Sequence, residues 1–252
     1  MGENKRMGDY ALRHVGQGAE TNVYTARNRK KSQGPKRLVV KDFALGPEKS
    51  GQPERVLSYN DVGGFDDEFK AELQIRYRAL RSEYGDVIAR SRFIKNPDHP
   101  DLNLLAQEYV ELADPARVSE YYPVDIEDEA VKTKITSFIH TLKKNIQQLK
   151  AGEPAVVVDL NGDNLVFNKE LNRLVYIDLD VSYEFMLMDD VILNIAKIEM
   201  LGGAKSESLR RDEFYIPVLA KYPEFATIDD EHDFYTALKE CEQDLIGDAF
   251  EQ

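Results

Sequence analysis

The chain has 252 residues, of which 42% are hydrophobic and 31% charged, and a net charge of −13. That length and apolar fraction allow the core of one domain or two lobes and exclude a globally disordered chain. The acidity disfavours nucleic-acid binding by bulk electrostatics and would attract a cationic partner.

No apolar run approaches the roughly 18 residues that span a bilayer. Residues 1–6 are polar and carry no signal-like apolar core, and the single cysteine, Cys241, has no internal disulfide partner. A cytoplasmic chain with no membrane contact is therefore expected.

Three strands are predicted first, over residues 10–15, 22–26 and 38–43, where β-branched and apolar residues lie between glycine-rich or basic turns. The basic stretch 29–37 reads as an exposed hairpin loop. Residues 44–64, with Gly46, Pro47, Gly51, Pro53, Gly63 and Gly64, read as a long irregular insertion. A helix is expected over 66–83, because Phe69, Leu73, Tyr77 and Leu80 recur at helical spacing. Strands over 87–94 and 102–112 follow, parted by the turn 96–101.

A strong helix is predicted over 126–149, with Val131, Ile135, Phe138, Leu142, Ile146 and Leu149 as one apolar stripe. Asp125 is placed to cap its start and Gly152 to follow its end. Short strands come next at 155–158, 165–167 and 174–177, the last two joined by the polar turn 168–173. Helices are expected near 186–201, 206–221 and 229–246, the last opening on the acidic stretch 229–233, where the helix dipole favours negative charge. Strands precede helices, so the fold class is α+β in two lobes, 1–112 and 113–252, with a ligand expected in the cleft between them.

Asp159, Asn161, Asp163, Asn164, Asp178 and Asp180 all fall at the ends of apolar strands. Such oxygen donors suit a hard cation such as Mg²⁺, and acidic groups there suit phosphoryl transfer, in which a protein mainly positions groups and neutralises charge. A Ca²⁺ loop is the rival: Asp159, Asn161, Asp163 and Glu170 match its ligand spacing. Against it, Asn164 stands where the loop needs glycine, and the β-branched residues 156–158 read as a strand rather than an entering helix. His14, His99, His140 and His232 have no metal-site spacing.

Asp159, four residues, Asn164, a hairpin and then Asp178-Leu179-Asp180 form a pattern that resembles the catalytic and metal-binding stretch of the protein-kinase-like superfamily. Further motifs resemble that family in its order. Gly16-Gln17-Gly18 through Val23-Tyr24 is similar to the glycine-rich loop over the phosphates, and Lys41, closing Leu38-Val39-Val40-Lys41, to the phosphate-binding lysine. Glu72 on the next helix would pair with Lys41, with Glu68 one turn earlier as its competitor. Gln107-Glu108-Tyr109-Val110 is similar to the hinge that receives adenine through its backbone.

The resemblance implies ATP and Mg²⁺ as cofactors. Asp159 would orient the acceptor hydroxyl and take its proton, while Asn164 and Asp178 would hold Mg²⁺. Gly16, Gly18, Val23, Lys41, Glu108 and Val110 would contact ATP. Val158 precedes Asp159 in place of the usual arginine or His-Gly. The third loop glycine is replaced near Thr21, and Asp180 stands where glycine is usual. Asn161 replaces a lysine of ordinary protein kinases, and no Ala-Pro-Glu follows. The nearest likeness is thus to compact aminoglycoside-phosphotransferase-like or Rio-like branches. The implied activity is γ-phosphate transfer to a hydroxyl acceptor, a small molecule slightly ahead of a protein. A nucleotide-binding pseudokinase acting through partners is the alternative.

Overall fold

The computed structural model describes residues 5–7, 10–17, 22–28, 37–42, 64–110, 123, 126–158, 160, 164–168, 173–179, 181–182 and 189–250. The chain forms two compact units, Met1–Arg78 with Ala89–Val110, and Ala79–Ile88 with Glu111–Gln252. The division expected after residue 112 falls after Val110, and residues 79–88 group with the helices.

The first unit is built on an antiparallel sheet of β1 (Lys5–Met7), β2 (Tyr10–Gln17), β3 (Asn22–Asn28), β4 (Arg37–Asp42), β5 (Ser91–Lys95) and β6 (Asn103–Glu108). The strand order is β1-β2-β3-β4-β6-β5, with β1 a three-residue edge that local patterning does not reveal. Because side chains alternate across a strand, one face collects Leu12, Tyr24, Ala26, Val40 and Leu104 into a buried cluster, flanked by Tyr10, Leu38 and Ile94. The opposite face carries Val23, Lys41, Phe93 and Leu105.

Helix α1 (Asp67–Tyr84) follows β4 in the chain. Asp66 caps it by accepting from Phe69 N at 2.8 Å. Just before the cap, Phe65 and Asn103 exchange backbone hydrogen bonds of 3.0 and 2.7 Å. Gly64 makes that approach with φ of +132°, where a Cβ would sit 2.6 Å from the Asn103 carbonyl oxygen. Phe65 also meets the Phe93 ring edge-on at 6.3 Å. Of the predicted α1 stripe, Leu73 and Leu80 are fully buried. The predicted strand 87–94 is shorter than expected: Gly85–Val87 is a 3₁₀ turn, and Ile88 forms a lone parallel bridge to Tyr176. Most of the predicted insertion 44–64 lies outside the described residues.

The second unit contains α2 (Glu129–Lys150), β7 (Val157–Val158), β8 (Leu165–Asn168), β9 (Arg173–Tyr176), β10 (Val181–Ser182), α3 (Asp189–Leu201), α4 (Ser206–Arg211), α5 (Ile216–Leu219) and α6 (Glu231–Phe250). Val131, Ile135, Phe138, Leu142 and Ile146 are buried along α2, as its stripe predicts. The α2 cap is Asp128, which accepts from Ala130 N at 2.7 Å; Asp125 lies outside the described residues. Gly152 ends the segment with φ of +77°.

Helix α3 is buried on nearly every side and packs against α6 and α2. Between α3 and α6 lies a buried ion pair, Lys197 with Glu242. Burial pushes the Lys197 ammonium pKa down, against the opposing pull of Glu242. The single helix expected over 206–221 is two, α4 and α5. Asp212 accepts from Phe214 N at 2.9 Å and turns the chain, and Pro217 has no N–H with which to continue α4. Among the described residues, no helix is long and apolar enough to cross a membrane.

Candidate functional site

The candidate residues fall into two groups, one in each unit. In the sheet unit, register aligns them. Gly16 pairs with Val23, Val23 with Lys41, and Lys41 with Leu105. These four positions form one row across β2, β3, β4 and β6, and directly paired residues project to the same face. A β-bulge between His14 and Gly16 resets the pairing just before that row. Lys41 is 8% exposed, rare for a lysine, and lies on the sheet face opposite the Leu12 cluster. Gly18 lies outside the described residues.

Glu72 sits on α1, exposed, and its carboxylate is engaged by Arg76 one turn on. Glu68 is also exposed. No ion pair joins Lys41 to Glu72 or to Glu68 among the described residues. Helical spacing brings Glu72 and Arg76 together by itself, and such exposed pairs form whatever lies across from the helix. Glu108 ends β6, where its N–H donates to Arg90 O at 2.8 Å and its carboxylate accepts from Arg90 N at 2.8 Å. Val110 follows two residues later, half-buried.

In the helical unit, β8 and β9 pair from Leu165 with Tyr176 to Asn168 with Arg173. Asn164 and Asp178 therefore flank the open end of this hairpin, and Ile177 N donates to Asn164 O at 2.9 Å. Asp178 Oδ1 accepts from Leu179 N at 2.8 Å, which fixes the carboxylate against its own backbone. Leu179 itself is 1% exposed and anchors the turn in the core. β10 pairs antiparallel with β7, Val181 with Val158 and Ser182 with Val157. The end of β7 and the start of β10 thus coincide, and the segments bearing the two acidic motifs attach at that end. Asp159, Asn161, Asp163, Glu170 and Asp180 lie outside the described residues.

The strand at Val157–Val158, in a ladder with β10, removes the Ca²⁺-loop alternative, which requires an entering helix there. Among the described residues no three His, Cys, Asp or Glu side chains converge as a metal set. The Asn164 and Asp178 pair offers hard oxygen donors, and Mg²⁺ at nucleotide sites is commonly held by one or two protein groups with phosphates completing its shell.

Motif reading missed three buried polar side chains around this segment. Val156 O, just before β7, accepts from Tyr84 Oη at 2.8 Å and from Asn145 Nδ2 at 2.7 Å. Leu160 O accepts from Asn194 Nδ2 at 2.7 Å. Burial pushes the Tyr84 hydroxyl pKa up, which keeps it a proton donor. The available signal was the asparagines themselves, which interrupt the apolar runs of α2 and α3.

No model of a known protein family matches this chain, and no curated protein sequence is detectably similar to it.

Proposed function

We propose that the chain is a cytoplasmic ATP- and Mg²⁺-dependent phosphotransferase of the protein-kinase-like kind. It would move the γ-phosphate to a hydroxyl acceptor, a small molecule ahead of a protein, with cationic acceptors favoured by the net charge of −13. One observation carries the proposal: the β8–β9 register brings Asn164 opposite Ile177, with Ile177 N on Asn164 O at 2.9 Å, so that Asp178 follows at the same hairpin end. Residues fourteen apart in sequence thereby reach one hairpin end, where an amide and a carboxylate oxygen would suit Mg²⁺.

Two further observations support the reading. The sheet unit independently aligns Gly16, Val23 and Lys41 in a single row. Counted from β2, Lys41 lies on the third strand and α1 follows that strand, which is the order of parts in kinases. When bound, Mg²⁺ would neutralise charge on the phosphates. Lys41 would add its own cation to them, Glu108 and Val110 would receive the adenine, and Asp159 would hold the acceptor hydroxyl and take its proton.

The test is a transfer assay with labelled ATP against hydroxylated small molecules and protein extracts. Asp159→Asn should retain ATP binding and lose transfer by about a hundredfold or more, the usual scale for a general base. Equal turnover in the variant would remove the role given to Asp159. Val158 before Asp159 and Asp180 in place of glycine favour a second reading, a nucleotide-binding module without transfer. ATP binding with no transfer to any acceptor would select it.

A further inference from the structure

The carbonyl groups on either side of position 159 are gripped by buried side chains. Val156 O has two donors, Tyr84 and Asn145. Leu160 O is held by Asn194. Asn194 is 4% exposed and lies between Leu193 and Ile195, both fully buried. Its Oδ1 has no hydrogen-bond partner among the described residues. A buried amide with an unmatched oxygen is destabilising, and an apolar side chain of the same size would avoid the penalty. Leucine there would spare that oxygen and leave the buried Leu160 carbonyl without its donor. What the asparagine supplies that leucine does not is the bond to Leu160 O.

We infer that Asn194 is a positioning residue that fixes the backbone at Leu160, one residue past Asp159 and four before Asn164. The inference rests on the phosphotransferase reading for its functional consequence. Asn194 acts through the backbone and touches no substrate in this role. It works from α3, a helix buried on nearly every side, so the anchor is a rigid one. Loss of the anchor should let the catalytic segment drift, and a displacement of about 1 Å can lower turnover by about a hundredfold. The contacts to ATP expected from Gly16, Val23 and Lys41 do not run through Leu160.

The experiment compares Asn194→Leu with Glu242→Gln, a variant that weakens α3 packing without touching Leu160, in the full chain. If wild type transfers phosphate, Asn194→Leu should lower kcat by about ten- to a hundredfold with KM for ATP within about twofold. Glu242→Gln, assayed below its melting temperature, should keep its kcat. A kcat for Asn194→Leu near wild type, or an equal loss in both variants, would overturn the inference. Asn194→Ala takes the place of the leucine variant if that one does not fold.

If wild type transfers no phosphate, the proposed function has failed and the anchor is read directly by amide hydrogen exchange. Asn194→Leu should then speed exchange in the segment 160–168 relative to α2. Unchanged exchange there would overturn the inference by itself.

Discussion

The two units place opposite charges in opposite settings. In the sheet unit Asp67 faces Lys95 at 3.1 Å, with side chains 72% and 49% exposed, and also accepts from Asn103 Nδ2 at 3.0 Å. In the helical unit Lys197 and Glu242 meet at 2% and 8% exposure. Water screens the first pair, so its removal changes little. The second pair has lost its hydration, so each charge depends on the other. Uncharged polar groups do not share the contrast: the sheet unit buries Asn96, Asn103 and Gln107, and the helical unit buries Asn145 and Asn194. Strand register aligns candidate residues in both units, and the helical unit adds buried hydrogen bonds to the backbone at Val156 and Leu160.

The sharpest way to break this contrast is Glu242→Gln. It leaves the Lys197 cation buried without a counter-charge and should cost about 3–5 kcal/mol, read as a fall in Tm. Replacing both partners, Lys197→Met with Glu242→Leu, should recover most of that loss. A single variant as stable as wild type would show that the pair is hydrated and the contrast false.

The smaller effect is at Asp67, whose pKa is held below the ordinary 3.8 first by its hydrogen bond from Asn103 and then by Lys95. A carboxylate depressed in the folded state adds stability above its unfolded pKa and loses it as pH falls through the folded value. Asp67→Asn should therefore melt slightly below wild type at pH 7, and the gap should close below about pH 3.8. A gap that widens on acidification would contradict the assignment.

Periodicity revealed most of what is local. The α2 stripe from Val131 to Ile146 was legible because one helix face is buried along its length. The broken helix after Ser206 was not, because apolar spacing carries on through Asp212 and Pro217 while their backbone chemistry ends the run. Long-range pairing is also invisible to periodicity. The two-residue ladder of β7 with β10 depends on strands 23 residues apart, and each is too short to show alternation. In the candidate site, the family resemblance singled out Asn164, Asp178, Gly16, Val23 and Lys41, while their cross-strand register shows only in the structure. Asn194 was not readable, because its partner is a backbone carbonyl 34 residues away and carbonyls leave no mark in a sequence. The expected pair of Lys41 with Glu72 or Glu68 is absent among the described residues, where Arg76 takes Glu72. Spacing put both glutamates on one helix without telling which group each would meet.

The most direct test of the central claim is an ATP titration of wild type and Asp178→Asn, with Mg²⁺ and with the metal removed by chelator. The account predicts that wild type binds ATP in Mg²⁺ and weakens by about tenfold or more when the metal is removed, a loss of roughly 1.4 kcal/mol. Asp178→Asn should lose most of that metal dependence. No binding at millimolar ATP with Mg²⁺ present, or the same metal dependence in the variant, would contradict it.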